Sequence, residues 1–133
     1  MAGVMSTLTA MRMVLPGEDA RGVMRRSPAI SLAVTVAGGN AVIAVVGELD
    51  IATVPRFTAV VAAMLGVPGV GRVEIDGRRL DFVDPSGLRG LLEARADAQA
   101  AGILWYLGPT SPAVRRLLDI TGVGALLTDP ALN

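Results

Sequence analysis

The sequence contains no cysteine, no histidine and no lysine; its 12 basic residues are all arginine. The absence of cysteine excludes disulfides and thiol nucleophiles, and it agrees with a reducing cytoplasmic location. Without histidine, serine–histidine catalysis is excluded, and the loss of both residue types removes most zinc and copper sites. Without lysine, a phosphate-binding loop of the Gly-Lys-Ser/Thr type is excluded as well. We therefore expect a cytoplasmic protein that carries no cofactor.

Aromatic residues and long apolar runs are also scarce. The chain has only two phenylalanines, one tryptophan and one tyrosine, so stacking on nucleic-acid bases is disfavoured. The formal net charge is zero and the arginines are scattered, which disfavours a nucleic-acid-binding stripe. The longest apolar runs, such as 41–47, fall well short of the roughly 20 residues of a membrane span. We expect neither nucleic-acid binding nor membrane insertion.

What is abundant is small and aliphatic side chains. Hydrophobic residues make up 52% of the 133-residue chain and charged residues 18%, a composition typical of one globular domain. Residues 1–28 differ from the rest, because they combine repeated methionines with Pro-Gly and Arg-Arg pairs and lack a regular period. We expect a disordered N-terminal extension at 1–28 and a folded domain at 29–133.

The folded part begins with patterns typical of strands. Residues 30–36 alternate between apolar and polar or small side chains, 37–40 form a turn signal, and 42–46 start a second strand. A short alternating segment at 72–76 predicts a third strand. The continuous apolar run 103–107 predicts a strand that is covered on both faces.

Helices are predicted between these strands. Thr53 is expected to cap the first, Asp84 the second and Ser111 the third, the last two followed by proline at the first helical position. The second helix, 85–101, has an apolar stripe formed by Leu88, Leu91, Leu92, Ala96 and Gln99. Residues 125–128 predict a short final strand. The order β-β-α-β-α-β-α-(β) predicts an α/β fold with a mixed sheet of about four or five strands and right-handed crossover helices.

The segment 80–88 contains a strand end, a turn and a helix start. Asp84 and Pro85 form a good helix entry, which places Ser86 in the first turn. Free amides and the helix dipole favour a negative group there, so a phosphate on Ser86 would be tolerated. Taken by itself, the segment is more often a plain helix cap.

Enzymatic interpretations each lack a component. Gly69-Val70-Gly71 precedes a strand and has no third glycine, which disfavours dinucleotide binding. Asp76, Asp81 and Asp84 could in principle hold magnesium as in a phospho-aspartate receiver, but the accompanying lysine is missing. Glu48 and Asp50 could form an acid–base pair, yet no nucleophile accompanies them. Loop and capping roles are more common for all these carboxylates, and we expect no enzymatic activity.

Three motifs in the order and spacing found here resemble the STAS domain of anti-sigma factor antagonists. The first is Gly47-Glu48-Leu49-Asp50 after the second strand. The second is Asp76 closing the third strand, followed by Phe82-Val83-Asp84-Pro85-Ser86-Gly87-Leu88. The third runs from Ser111 to Asp119 into Thr121-Gly122-Val123. The resemblance covers about residues 29–128.

The resemblance implies a protein-interaction switch. The family serine that is phosphorylated by an anti-sigma factor serine kinase corresponds to Ser86. The unphosphorylated protein binds that kinase and frees the sigma factor, phosphorylation releases it, and a serine phosphatase restores it. The partner contacts implied here are Asp50, Asp81, Asp84, Pro85, Gly87, Leu88 and Arg89. Pro85 departs from the family, which usually has a second serine at that position.

A second hypothesis keeps the STAS fold without the phospho-switch. Related domains are scaffolds of stress-signalling assemblies or small accessory subunits of lipid-transport complexes. An unmodified Ser86 and co-purification with a transporter would favour this alternative.

Overall fold

The computed structural model of the chain describes residues 9–12 and 30–128. Within these, one five-stranded mixed sheet has the strand order β1-β2-β3-β4-β5. The strands are β1 (Thr9–Arg12), β2 (Ile30–Ala37), β3 (Asn40–Leu49), β4 (Arg72–Val83) and β5 (Leu104–Thr110). The helices are α1 (Val54–Leu65), α2 (Pro85–Ala100), α3 (Pro112–Thr121) and α4 (Gly124–Thr128). The predicted α/β class and the order of its first seven elements, from the strand at β2 to the helix at α3, are confirmed.

Strand pairing divides the sheet into two parts. β2 and β3 form the predicted antiparallel hairpin through the 37–40 turn, where Gly38 and Gly39 have positive φ. β3, β4 and β5 are parallel neighbours, as expected of strands joined by crossover helices. β1 pairs antiparallel with β2, so part of the predicted disordered extension 1–28 is a strand. The rest of that extension lies outside the described residues.

The hydrophobic core lies on one face of the sheet. Alternate residues of each central strand are almost fully buried, including Ile43, Ile75 and Trp105, and the helices pack over them. The opposite face carries side chains that stay partly exposed, such as Val42 and Glu74. Among residues 9–12 and 30–128, helices therefore cover the sheet on a single face.

This arrangement corrects the prediction for β5. Trp105 and Leu107 are buried, but Leu104 is 42% exposed and Tyr106 is partly exposed. Leu104 and Tyr106 lie on the face of the sheet opposite the helices, which we call the open face. The run is therefore apolar at an edge strand, without a second layer of described helices above it. β5 pairs only with β4 among the described strands.

Two helix predictions also need correction. The buried face of α2 is formed by Gly87, Gly90, Leu91, Ala94 and Ala98, whereas Ala96 and Gln99 are exposed. The two small alanines and two glycines allow α2 to lie close to its neighbours, and apolar periodicity does not count glycine. Residues 124–128 form α4 instead of a strand, and its Leu127 is buried. A short helix buries Leu127 in the core as effectively as a strand would.

The third predicted strand is longer than its alternating pattern indicated. β4 continues to Val83, with register shifts opposite Ala44–Glu48 of β3. Asp76 therefore lies inside the strand and does not close it. Its carboxylate binds Arg78, with the shortest N–O distance 2.8 Å, and this hydrogen bond lowers the pKa of Asp76. Because Arg78 is largely exposed, the pair contributes little to stability.

The start of α3 is fixed to β4 as predicted for a capped helix. The hydroxyl of Ser111 accepts a hydrogen bond from the Val114 amide at 3.4 Å and donates one to the Leu80 carbonyl at 2.7 Å. At the other end, Gly122 has φ 77°, the left-handed conformation that ends helices. The start of α3 is thus fixed near the carboxyl end of β4.

The open face has a small polar cluster near β5. The Tyr106 hydroxyl donates a hydrogen bond to Glu74 Oε1 at 2.6 Å, and the Arg72 guanidinium lies 5.3 Å from the Tyr106 ring centroid. The hydrogen bond to Glu74 is the main cause that raises the pKa of Tyr106 above its ordinary value of 10.0.

Tyr106 is the single tyrosine of the chain, so its ionisation can be followed directly by absorbance near the tyrosinate band. We expect its pKa to lie above 10 in the folded protein and to fall in Glu74→Gln, since the anionic acceptor is removed. Because the folded pKa is raised, the hydrogen bond stabilises the fold below pH about 10 and is lost as the pH rises through that pKa. Equal titration curves for wild type and variant would show that the bond does not form in solution.

Candidate functional site

The carboxyl ends of β3 and β4 lie side by side. Leu49 and Val83 are register partners, and the Asp84 amide donates to the Leu49 carbonyl at 3.2 Å. The loop that follows β3 and the turn that follows β4 are therefore neighbours at one edge of the sheet. In α/β proteins this edge is the usual place for binding residues.

Asp84 caps α2 as the sequence predicts. Its backbone is extended, with φ −95° and ψ 179°, and its carboxylate accepts the Gly87 amide at 2.7 Å. Pro85 occupies the first helical position, and the Leu88 amide donates to the Asp84 carbonyl at 2.9 Å. Asp84 thus binds two amides at the start of α2, one through its carboxylate and one through its carbonyl.

Ser86 is the second residue of α2 and is partly exposed. Its hydroxyl makes no hydrogen bond to any other residue that the structure describes. Pro85 beside it is exposed. The hydroxyl is thus available at the surface in the first turn of a helix.

Gly87 is fixed by its contact with β3. A Cβ at this position would overlap the Leu49 carbonyl oxygen and carbon, both of which are backbone atoms. One turn later, a Cβ at Gly90 would lie 3.2 Å from a methyl group of Val54 in α1. The two glycines let α2 start directly against the β3 end and α1, which sets the position of Ser86.

Asp50 organises the loop between β3 and α1. Its carboxylate accepts the amides of Ala52 and Thr53, both at 3.0 Å. The Thr53 hydroxyl donates to the Glu48 carbonyl at 2.8 Å and accepts the Asp50 amide at 2.9 Å. Thr53 is fully buried and occupies the N-cap position of α1, as predicted, but its side chain makes no capping hydrogen bond. The predicted side-chain cap is wrong because the hydroxyl binds the preceding loop.

The other predicted partner residues divide by exposure. Asp81 and Arg89 are exposed, whereas Leu88 is partly buried against the core. Gly87 is buried and its contact is internal. The structure therefore leaves Asp81, Pro85, Ser86 and Arg89 as accessible groups around the turn, with Asp50 and Asp84 committed to backbone hydrogen bonds.

Two apolar residues at this edge were not identified as partner contacts from the sequence. Ile51 is 74% exposed in the β3–α1 loop, and Phe82 is 49% exposed opposite Glu48. Next to Phe82, a groove of about 200 Å³ lies between the end of β4 and α3, lined by Asp81, Phe82, Val83, Ala113, Val114 and Leu117. A β-branched apolar residue inside a polar turn, as at Ile51, is the sequence signal that could have found it.

The described residues contain neither a metal-binding cluster nor a membrane-spanning helix. No three carboxylates there form a group that could hold a metal ion, and Asp76, Asp81 and Asp84 do not converge. Among the described helices, none is long and apolar enough to cross a membrane.

Gly87→Ala tests the close approach of α2 to β3. An alanine inside a helix normally stabilises it by roughly 0.5–1 kcal/mol. Here we expect destabilisation of about 1–3 kcal/mol, because the methyl group overlaps a backbone carbonyl that cannot move aside. Denaturant unfolding measures the difference, and Gly71→Ala is the control, since its Cβ would meet no atom within 4 Å. Unchanged or increased stability of Gly87→Ala would contradict the packing described.

The cap can be separated from the charge of Asp84. Asp84→Ala should lower the free energy of unfolding by about 1 kcal/mol, whereas Asp84→Asn should change it far less, because asparagine caps nearly as well. Thermal and denaturant unfolding give both values. A large loss of stability in Asp84→Asn would mean that the negative charge of the carboxylate stabilises the turn.

Comparison with known proteins agrees with this geometry. A family model described as "Mlab, STAS domain" matches residues 32–128. No curated protein sequence matches the chain. The anti-sigma factor antagonist SpoIIAA in its unphosphorylated form is 26% identical, with a TM-score of 0.54, over 69% of this chain and 83% of that one.

Further solved structures share the fold. SpoIIAA of Bacillus in the phosphorylated form is 27% identical, with a TM-score of 0.55, over 72% of this chain and 86% of that one. An anti-sigma factor antagonist from Mycobacterium paratuberculosis is 24% identical, with a TM-score of 0.62, over 76% and 84%. The murine anion transporter Slc26a9 is 16% identical, with a TM-score of 0.59, over 87% of this chain and 18% of that one. The sequence motifs, the one-faced mixed sheet and the family match together show that the chain belongs to the STAS domain family.

Proposed function

We propose that the protein is an anti-sigma factor antagonist that is switched by phosphorylation at Ser86. The unphosphorylated form binds an anti-sigma factor serine kinase and thereby releases a sigma factor. Transfer of a phosphoryl group from ATP to the Ser86 hydroxyl ends the interaction, and a serine phosphatase restores it. The observation that carries the proposal is the accessible Ser86 hydroxyl in the first turn of α2, at an edge framed by exposed apolar residues.

The surroundings of Ser86 support a protein contact. Ile51 and Phe82 are exposed large apolar side chains on the two segments that meet at this edge. Such residues are typical anchors of protein interfaces when polar groups surround them. Asp81, Pro85 and Arg89 supply an exposed rim. SpoIIAA, more than 25% identical to this chain, has been solved in unphosphorylated and phosphorylated forms, which further supports the proposal.

The charge of a phosphate explains how the switch acts. It adds about −1.5 to −2 charges at pH 7, next to Asp81, Asp84 and the Asp50 loop. A partner that covers this edge would have to remove water from that charge. A loss of roughly 3 kcal/mol weakens a complex about a hundredfold. The switch therefore acts on association, and α2 itself remains folded because the helix dipole favours negative charge near its first turn.

Pro85 is the departure with a structural consequence. It removes one backbone amide from the first turn and fixes its own φ, so the segment before Ser86 is stiffer than with a second serine. Its exposed ring also forms part of the surface that a kinase must grip. The acceptor hydroxyl at Ser86 is unaffected.

Affinity capture with paired baits tests the proposal. Wild type, Ser86→Ala, Ser86→Asp and Ser86→Asn are incubated with lysate of the native organism and ATP, and bound proteins are identified by mass spectrometry. We expect an ATP-binding serine kinase to be recovered on Ser86→Ala. The amount of this kinase recovered on Ser86→Asp should be at least about tenfold lower. Ser86→Asn is the matched control, because it differs from Ser86→Asp in charge but hardly in shape.

The opposite outcomes are equally informative. Equal recovery of the kinase on Ser86→Asp and Ser86→Asn would mean that negative charge at this site does not control binding. Absence of phosphoserine at position 86 after incubation of wild type with the captured kinase and ATP would remove the phospho-switch.

A second candidate function is a scaffold or accessory subunit of a stress-signalling or lipid-transport complex, without the phospho-switch. Pro85 favours it, because this chain lacks the usual second serine, and the anion transporter Slc26a9 contains a similar fold. The same capture discriminates the two functions. An identical set of proteins on all baits, with transporter subunits among them, would support the second candidate.

A further inference from the structure

We propose that Arg89 binds the phosphate on Ser86 and is the residue that neutralises the modified site within the same chain. This inference rests on the proposed function, because it concerns the modified form of Ser86. It changes the role of Arg89 from a partner contact to an internal receptor of the phosphate.

The backbone of the first turn offers a phosphate only one free amide. Pro85 has no amide hydrogen, the Gly87 amide donates to the Asp84 carboxylate at 2.7 Å, and the Leu88 amide donates to the Asp84 carbonyl at 2.9 Å. Only the Ser86 amide is left without a partner among the described residues of this turn. A helix start normally offers several amides to an anion, but here all except the Ser86 amide are bound or missing.

The carboxylates around Ser86 make neutralisation more important. Asp84 lies two positions before it on the chain, Asp81 is exposed near the end of β4, and Asp50 lies in the neighbouring loop. All three repel a phosphate. Between Arg79 and Arg95, the sequence contains one cationic residue, Arg89.

The packing of α2 places Arg89 on the correct side of the helix. Gly87, Leu91 and Ala94 are buried, which fixes the rotation of α2 and directs Ser86 and Arg89 away from the core. Residues three apart are neighbours on a helix surface, with Cβ atoms about 5–6 Å from each other. Arg89 is exposed and has no ion pair with any described residue. An arginine can bind a phosphate with two parallel hydrogen bonds at this separation.

Phosphorus NMR of protein with phosphoserine installed at position 86 during synthesis tests the pairing. A bound guanidinium favours the dianion, so it lowers the second pKa of the phosphate, which is ordinarily about 6. We expect Arg89→Ala to raise that pKa by roughly 0.3–0.7 units and Arg89→Lys to raise it less. Arg116→Ala, an exposed arginine on α3, is the control and should leave the titration unchanged.

The design separates this inference from the proposed function, because no kinase is needed to make the phosphoprotein. Arg89→Ala and wild type with the same phosphate titration would overturn the pairing, whatever the partner does. A raised pKa in Arg89→Ala would support it even where capture experiments show no kinase. Circular dichroism would show whether the variant keeps the helix content of the wild type, and Arg89→Gln gives a second neutral variant of similar length.

Discussion

The start of α2 is held directly against the end of β3, and the site depends on this contact. The Leu49 carbonyl accepts the Asp84 amide on one side and leaves no room for a Cβ at Gly87 on the other. Because α2 begins so close to β3, its first turn packs directly against the edge of the sheet. Ser86, one residue before Gly87, is thereby presented at the surface beside the β3–α1 loop. A larger residue at position 87 would move the helix and the serine together.

The covering of the sheet on one face explains why function concentrates at this edge. Helices bury one side of every central strand, so most of the buried apolar area lies on that side. The β3–α1 loop and the end of β4 can then carry exposed Ile51 and Phe82 without weakening the core. A phosphate added there meets charges and water, and it changes what the surface can bind.

Much of the fold could be predicted from the sequence because its signals are local. Alternation, turn residues and proline after a capping residue identified β2, β3, α2 and α3, and they placed Ser86 at a helix start. Errors arose where a long-range contact decided the outcome. Thr53 binds the preceding loop and does not cap α1, β5 is apolar at a sheet edge, and residues 124–128 add Leu127 to the core as a helix. Gly87 and Gly90 also belong to the buried face of α2. The apolar period did not predict this, because it does not count glycine.

The sequence by itself determined the order of the seven elements from β2 to α3, the helix cap at Asp84 and the exclusion of histidine-, cysteine- and lysine-based chemistry, because these depend on residue identity and short spacing. Only the tertiary structure decided which groups meet. It brought Asp50 and Ile51 next to the turn that holds Ser86, although more than thirty positions separate them along the chain. It also showed that the Gly87 and Leu88 amides of the first turn are already bound, since hydrogen-bond partners are set by packing in three dimensions and not by sequence spacing.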